Sequence, residues 1–373
     1  MKILFVIPAY KPAYHYGGTT VVVSQLAESL VAAGHEVVVY TTTANGKKEL
    51  KVGVNKETII NGVKVIYFNR ITGDHTHVSP MLWYRLWKTL KQYDVVHLHS
   101  WWNVLIMVAA KICLLRRIKP ILSPHGMLSE FSFKVQKSVL KKLLHTIVGR
   151  SLLSKTALHV STELEFNDCR KIIPDWDATI ISNLVELPHY SYRRKKNEVF
   201  TVGFLSRIDP KKGLELLIKA LAKVKFQFKL LIAGDGKDMY IKDLKGLIEK
   251  VEIADRTEWV GWQDGEEKFN YLASIDLFSL ISYNENFAIV VLEALSVGTP
   301  VLVSEHVGLA EYVKKNQFGL VTSLETEDIV ANLNRGYAKF KSKINSAVQL
   351  ENDFGSAELV KQYLVMYKVY NNS

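Results

Sequence analysis

The chain alternates short β-branched runs with longer segments of helical spacing, and it does so twice. In the first half the strand-length runs cover residues 2–7, 35–41, 63–68, 94–98, 120–123, 157–160 and 179–181. After a break they resume at 199–205, 229–233, 258–260, 277–280 and 300–303. Strands separated by helix-length segments cannot pair as hairpins, so the alternation predicts parallel sheets covered by helices. The break at 187–198 holds Pro188 and the run Arg193-Arg194-Lys195-Lys196-Asn197, which reads as a linker. A chain of 373 residues also exceeds what one core usually supports. The reading is an α/β protein with two Rossmann-like doubly wound domains, residues 1–190 and 191–355. Residues 356–373 follow as a terminal helix, with Leu359, Tyr363, Val365, Met366, Val369 and Tyr370 at helical spacing and no strand after them. Doubly wound sheets bind ligands outside the carboxyl ends of their strands, which is where chemistry is sought.

Composition narrows the classes. Apolar content of 48% and charged content of 23% are those of a globular protein. Cys113 and Cys169 stand in no CxxC and near no ligand-spaced histidines, which points to a reducing compartment and away from a structural zinc. Only Lys2 precedes the apolar run at 3–9 and no cleavage pattern follows, so no signal peptide is expected. The apolar run at 104–110 is too short to span a bilayer, and a cytoplasmic protein is expected. The net charge of +11 is uneven: residues 1–190 carry 23 Lys/Arg against 13 Asp/Glu, the remainder 25 against 24. Residues 111–155 hold ten bases and one acid, Glu130. Such a face suits an anionic membrane or a diphosphate-bearing acceptor, and an ordinary solvated surface accounts for it equally well. Nucleic acid is not expected, because no binding motif accompanies the charge.

Several segments carry candidate chemistry. Gly17-Gly18 precedes a helix after the first strand, where free N–H groups and the helix dipole favour an anion. The segment is not GxGxxG and is too long for a dinucleotide turn, which weakens a nicotinamide-dependent reading. Gly234-Asp235-Gly236 closes a later strand, either as a turn needing positive φ or as a close approach of Gly236 to a nucleotide. Arg207 and Lys212 flank a Pro-containing turn after a buried strand, placed to neutralise a diphosphate leaving group. The segment Ser282-Tyr283-Asn284-Glu285-Asn286-Phe287-Ala288 leaves a strand and enters an apolar helix that contains Glu293. A carboxylate there needs a partner or a ligand. Asn284 or Asn286 is placed to cap the helix, leaving backbone donors near Phe287 and Ala288 for the diphosphate. Glu285 is better directed to sugar hydroxyls than to another anion. The two glutamates are not a hydrolase pair. Eight helical residues span about 12 Å, whereas retaining hydrolases hold their carboxyls about 5–5.5 Å apart.

These motifs resemble family 4 of the retaining glycosyltransferases. The likeness runs through Gly17-Gly18, Asp94-Val95-Val96-His97-Leu98-His99, Pro124-His125-Gly126, Arg207…Lys212-Gly213, Gly234-Asp235-Gly236, Val260-Gly261, Glu285…Glu293 and Gly298-Thr299-Pro300, in that order. The resemblance implies a GT-B fold, with the two domains facing across a cleft and the terminal helix crossing back to the first. It implies metal-independent transfer with retention and no cofactor, from a UDP or GDP sugar to a glycan or lipid-linked glycan. By similarity Arg207 and Lys212 hold the diphosphate and Glu293 the ribose. Glu285 contacts the sugar, with the amides of Asn286, Phe287 and Ala288 beside it. His125 lies near the reacting sugar, and Gly18 admits the phosphate. The sequence departs from the family at Asn286 and Ala288, where glycines are usual, so a stiffer turn is expected. Tyr14, His15 and Tyr16 are candidate acceptor contacts, as is one of Trp101 and Trp102, for which core burial is an equal reading, while His97 reads as packing. Two other activities fit the same motifs: a nucleotide-sugar 2-epimerase and a non-catalytic sugar-nucleotide or glycan-binding protein.

Overall fold

The computed structural model describes residues 1–13, 17–129, 149–185, 197–340, 342 and 344–371. It divides into two compact units, Met1–Glu186 with Phe354–Ser373, and Leu187–Asp353. The linker expected at 187–198 falls almost wholly outside the described residues.

The first unit is built on β1 (Lys2–Val6), β2 (Glu36–Thr42), β5 (Glu57–Ile60), β6 (Val63–Phe68), β7 (Val95–His99), β8 (Ile121–Ser123), β9 (Ala157–Val160) and β10 (Ala178–Ile180). A separate hairpin supplies β3 (Ala44–Asn45) and β4 (Lys48–Glu49). The sheet order is β10-β9-β8-β7-β1-β2-β6-β5, with every pair parallel except β5 with β6. β1 sits mid-sheet, with Leu4 in register with Val38 on one side and Val96 on the other. Residues Ile3 to Val6 are all buried, as both faces of a parallel sheet are covered. The exposed edge strand β5 and the hairpin were not anticipated.

Local sequence sets the element ends. The helix Gly18–Ala32 stops at Gly34, whose φ is +86°. The Gly34 N–H donates to Val31 O at 2.9 Å and the His35 N–H to Leu30 O at 3.1 Å, completing a left-handed cap. Asn103 caps the helix Val104–Leu115 through Ile106 N, and Thr162 caps Glu163–Ile172 through Glu165 N. The terminal helix Ser356–Val369 packs on Gly18–Ala32 and buries Tyr363, Met366 and Tyr367 in the first unit.

The second unit carries β11 (Phe200–Leu205), β12 (Phe228–Ala233), β13 (Thr257–Gly261), β14 (Leu277–Leu280), β15 (Val301–Ser304) and β16 (Gly319–Thr322), all parallel. Their order is β13-β12-β11-β14-β15-β16. From β11 the chain winds outward to β13, then returns to start again at β14. The place between β11 and β14 where the winding reverses is the topological switch point of a dinucleotide-type sheet, and loops diverging there leave a crevice. β16 was not anticipated: four residues, the first a glycine, give too short a pattern.

Candidate functional site

The loops after β11 and β14 hold the cations and carboxylates singled out above. Asp209 caps the turn Pro210–Lys212 through Lys211 N at 3.0 Å, and Gly213 then takes φ +63°. A Cβ on Gly213 would stand 2.0 Å from Ile281 O, so only glycine lets this turn lie against the end of β14. The Tyr283 N–H donates to Lys211 O at 2.9 Å and ties the two loops together. Lys212 Nζ is consequently ion-paired with Glu285 Oε2, both side chains largely buried. Arg207 is exposed and forms no ion pair among the described residues. Burial pushes the Lys211 ammonium below its usual range, with Glu285 opposing that shift.

Glu285 is fixed through its own backbone. Its N–H donates to His306 O at 2.9 Å, and its carbonyl accepts from Gly308 N at 2.8 Å. The loop after β15 thus holds this residue, a support that the motif did not reveal. Glu293 lies inward on the helix Ile289–Ser296, and Lys268 from Gly265–Ser274 meets it at 2.5 Å. That supplies the partner a carboxylate in an apolar helix requires. Glu215, also missed, accepts from Tyr283 Oη at 2.8 Å and Tyr240 Oη at 2.9 Å. Burial, reinforced by the hydrogen bond to Glu215, pushes the Tyr283 phenol up to about 12.

Contrary to the expectation from sequence, neither Asn284 nor Asn286 caps the helix Ile289–Ser296. The capping position is Ala288, with φ +66° and no side-chain hydrogen bond. The stiffer turn anticipated there takes the form of an alanine in the left-handed region, which costs about 1–2 kcal/mol. At Gly236 the structure supplies a protein-based reason for glycine, since a Cβ would stand 2.2 Å from Ile208 O. The loop after β12 lies that close to the Arg207 loop.

In the first unit Gly17 caps the helix Gly18–Ala32 with φ +66° and no side-chain bond, and added Cβ atoms at Gly17 and Gly18 would meet nothing within 4 Å among the described residues. His125 has φ +51° and Gly126 +75° in the turn after β8. The Gly126 N–H donates to Glu165 Oε1 at 2.5 Å, while Glu165 Oε2 accepts from Ser161 N at 3.0 Å. One buried carboxylate therefore fixes the turn that presents His125. The His125 ring stacks on His99 with Nε2 3.2 Å from His99 Nδ1.

Behind His99 lies a directional chain of hydrogen bonds. His159 Nε2 faces Ile181 O at 3.0 Å, so it must carry the proton and donate. Its Nδ1 then accepts from Ser123 Oγ at 2.6 Å. Ser123 Oγ in turn accepts from His97 Nε2 at 2.6 Å, and His97 Nδ1 accepts from Tyr367 Oη at 2.9 Å. One carbonyl thus sets every proton, provided both imidazoles are neutral. Burial keeps them so: it holds His97 and His99 well below the usual histidine value, His159 at about 4 and His125 at about 3. His97 is packed, as read from the sequence, and it also links the terminal helix to the sheet.

Of the two readings of Trp101, core burial holds: it is wholly buried with Leu98, Leu105 and Leu128 and cannot stack on an acceptor. Tyr14, His15 and Tyr16 lie outside the described residues. Cys113 and Cys169 are buried free thiols. Among the described residues no group of three or more His, Cys, Asp or Glu is gathered as metal ligands.

The family pattern described as glycosyl transferases group 1 matches residues 191–339, and that of Glycosyltransferase Family 4 matches residues 16–187. The chain belongs to glycosyltransferase family 4. This glycosyltransferase is 28% identical over 358 residues to an uncharacterized glycosyltransferase of Methanocaldococcus jannaschii, covering 89% of this chain and 87% of that one. It is 26% identical over 307 residues to a phosphatidyl-myo-inositol mannosyltransferase of Mycolicibacterium smegmatis, covering 78% and 72%. The fold matches that of Anabaena HepE, crystallised with UDP and glucose, at a TM-score of 0.74, 20% identity and coverage of 99% and 100%. The two parallel Rossmann-like sheets are those of GT-B glycosyltransferases.

Proposed function

We propose that the protein transfers a hexosyl group, with retention and without a metal, from a UDP or GDP sugar to a hydroxyl of a glycan or lipid-linked glycan in bacterial surface polysaccharide synthesis. The observation that carries this reading is the gathering of Arg207, Lys212 and Glu285 at the switch point of the second sheet. In this reading Arg207 and Lys212 neutralise the departing diphosphate, assisted by the amides of Asn286, Phe287 and Ala288. Glu293 takes the ribose hydroxyls in place of Lys268, and Glu285 turns from Lys212 to the sugar. Gly17, Gly18 and Gly236 leave backbone free to approach the donor. The first unit receives the acceptor, and His125 orients the sugar as a neutral imidazole. The acceptor hydroxyl attacks on the face the diphosphate leaves, and the leaving phosphate takes the hydroxyl proton. The relatives support the substrate classes, one being named for mannosyl transfer to a phosphoinositide and another holding UDP with glucose.

A panel of nucleotide sugars screened for thermal stabilisation identifies the donor. A ligand at 100 times its dissociation constant adds about 2.7 kcal/mol. Transfer with the stabilising donor should give a product with the donor's anomeric configuration, unchanged by EDTA. An inverted product, or activity abolished by EDTA and restored by a divalent cation, would overturn the mechanism. Conversion of the donor without acceptor would identify an epimerase, and binding without turnover a sugar-nucleotide-binding protein.

A further inference from the structure

The helix Pro80–Thr89 in the first unit buries Leu82 and Leu86 and turns a different set of side chains outward. Met81, Tyr84 and Trp87, three residues apart in sequence, are 50%, 60% and 41% exposed. The helix Val104–Leu115 packs beside it, and Trp83 Nε1 donates to Leu105 O at 3.2 Å. At the end of that second helix Leu115 is 62% exposed, and the Arg116 guanidinium carbon stands 5.0 Å from the Trp87 ring centroid. Lys88 Nζ lies 5.8 Å from the Tyr84 ring centroid.

The charges here are one-sided. Residues 80–93 and 104–118 carry Arg85, Lys88, Lys91, Lys111, Arg116 and Arg117 and no acid at all. None of the six forms an ion pair among the described residues. A face that only needs solubility mixes both signs and keeps large apolar groups scattered. This one joins exposed Trp, Tyr, Met and Leu to unpaired cations with long apolar stems. Aromatic rings with a polar edge and snorkelling Lys/Arg are the side chains that settle at a water–lipid boundary, and an anionic leaflet supplies the missing countercharge.

We propose that this face lies against an anionic phospholipid surface, with Trp87 and Tyr84 at headgroup depth and the six cations over the lipid phosphates. The proposal deepens the reading of a lipid-linked acceptor and rests on it for its purpose. Its test needs neither donor nor acceptor, so the two can fail separately.

The full chain is sedimented with vesicles of phosphatidylcholine alone or mixed with phosphatidylglycerol, across a salt series. Binding should require phosphatidylglycerol and weaken with salt. The double variant Tyr84→Ser/Trp87→Ser, and the triple variant Lys88→Glu/Lys91→Glu/Arg117→Glu, should each bind about tenfold or more weakly. Both should keep the wild-type unfolding temperature and transfer to a water-soluble acceptor. Brominated lipid should quench wild-type tryptophan fluorescence, and Trp87→Phe should lose most of that quenching. Absence of salt-sensitive binding by the wild type would overturn the proposal. So would wild-type binding by the folded double variant, or loss of binding only when Lys134, Lys137, Lys141 and Lys142 are replaced. A dimer held by Trp87 without vesicles would assign the face to a second copy instead.

Discussion

The two units share a sheet architecture but place different polar groups behind the ends of their central strands. The first buries His97 and His159 as neutral rings whose nitrogens are matched by hydroxyls and one carbonyl. The second keeps full charges at its switch point and pairs them, Lys212 with Glu285 and Lys268 with Glu293. A neutral chain has direction and fails when a proton is added. An ion pair has no such direction, and either member can be exchanged for a ligand that offers the same charge or hydrogen bonds. The first solution suits a surface that must keep its shape, and the second suits a site whose occupant carries charge.

Acid should separate the units most sharply. The folded-state values of His97, His99, His125 and His159 lie below the unfolded value near 6.5, so the unfolded chain binds more protons in between. Their contribution is fully present above that value and is lost as pH falls through it toward the folded values. Between pH 7.5 and 5.5 the first unit should lose about 1 kcal/mol for each of these histidines. Denaturant unfolding at the two pH values, followed by tryptophans confined to each unit, measures it. An equal loss in the second unit would break the contrast.

Next in size is Glu285→Gln. It removes the carboxylate proposed for the sugar and releases Lys212, so transfer should fall by about a hundredfold or more. Binding of UDP or GDP should hold or tighten, because the freed ammonium no longer has an internal counter-ion. Lys212→Ala should weaken both, and calorimetry with kinetics distinguishes the two variants.

A smaller effect is expected at Tyr367→Phe. Loss of the hydroxyl orphans His97 Nδ1 and should cost the first unit about 1–2 kcal/mol, leaving nucleotide binding unchanged. Nitrogen-15 spectra of labelled histidines should show His97 and His159 protonated at Nε2 in the wild type. The smallest change is Ala288→Gly, which relieves the left-handed alanine and should stabilise the second unit by about 0.5–1 kcal/mol, after the added chain entropy of glycine.

What could be read beforehand follows from the range of each signal. Central strands such as β1, β7 and β11 are buried on both faces and rich in β-branched and other apolar residues, so they were visible in residue order alone. The edge strand β5, Glu57–Ile60, is exposed and paired on one side, and β16 is four residues long, so neither carried a pattern. Motif residues Arg207, Lys212, Glu285 and Glu293 were legible, but Lys268 was not, because it sits on another helix 25 residues away from its partner. The histidine chain joins residues 97, 123, 159 and 367, which no local window contains. Trp101 stayed undecided because a residue just past a strand end can turn either way, and here it turns inward.

The belt formed by Ser356–Val369 bears on how the molecule is made. Tyr367 heads the hydrogen-bonded chain that runs through β7, β8 and β9, yet it leaves the ribosome long after those strands. A nascent chain that has already emitted the whole second unit still lacks the side chain that seals the interior of the first. During that interval His97 and the outer face of Gly18–Ala32 stay open to water, and the first unit, synthesised before the second, is finished after it.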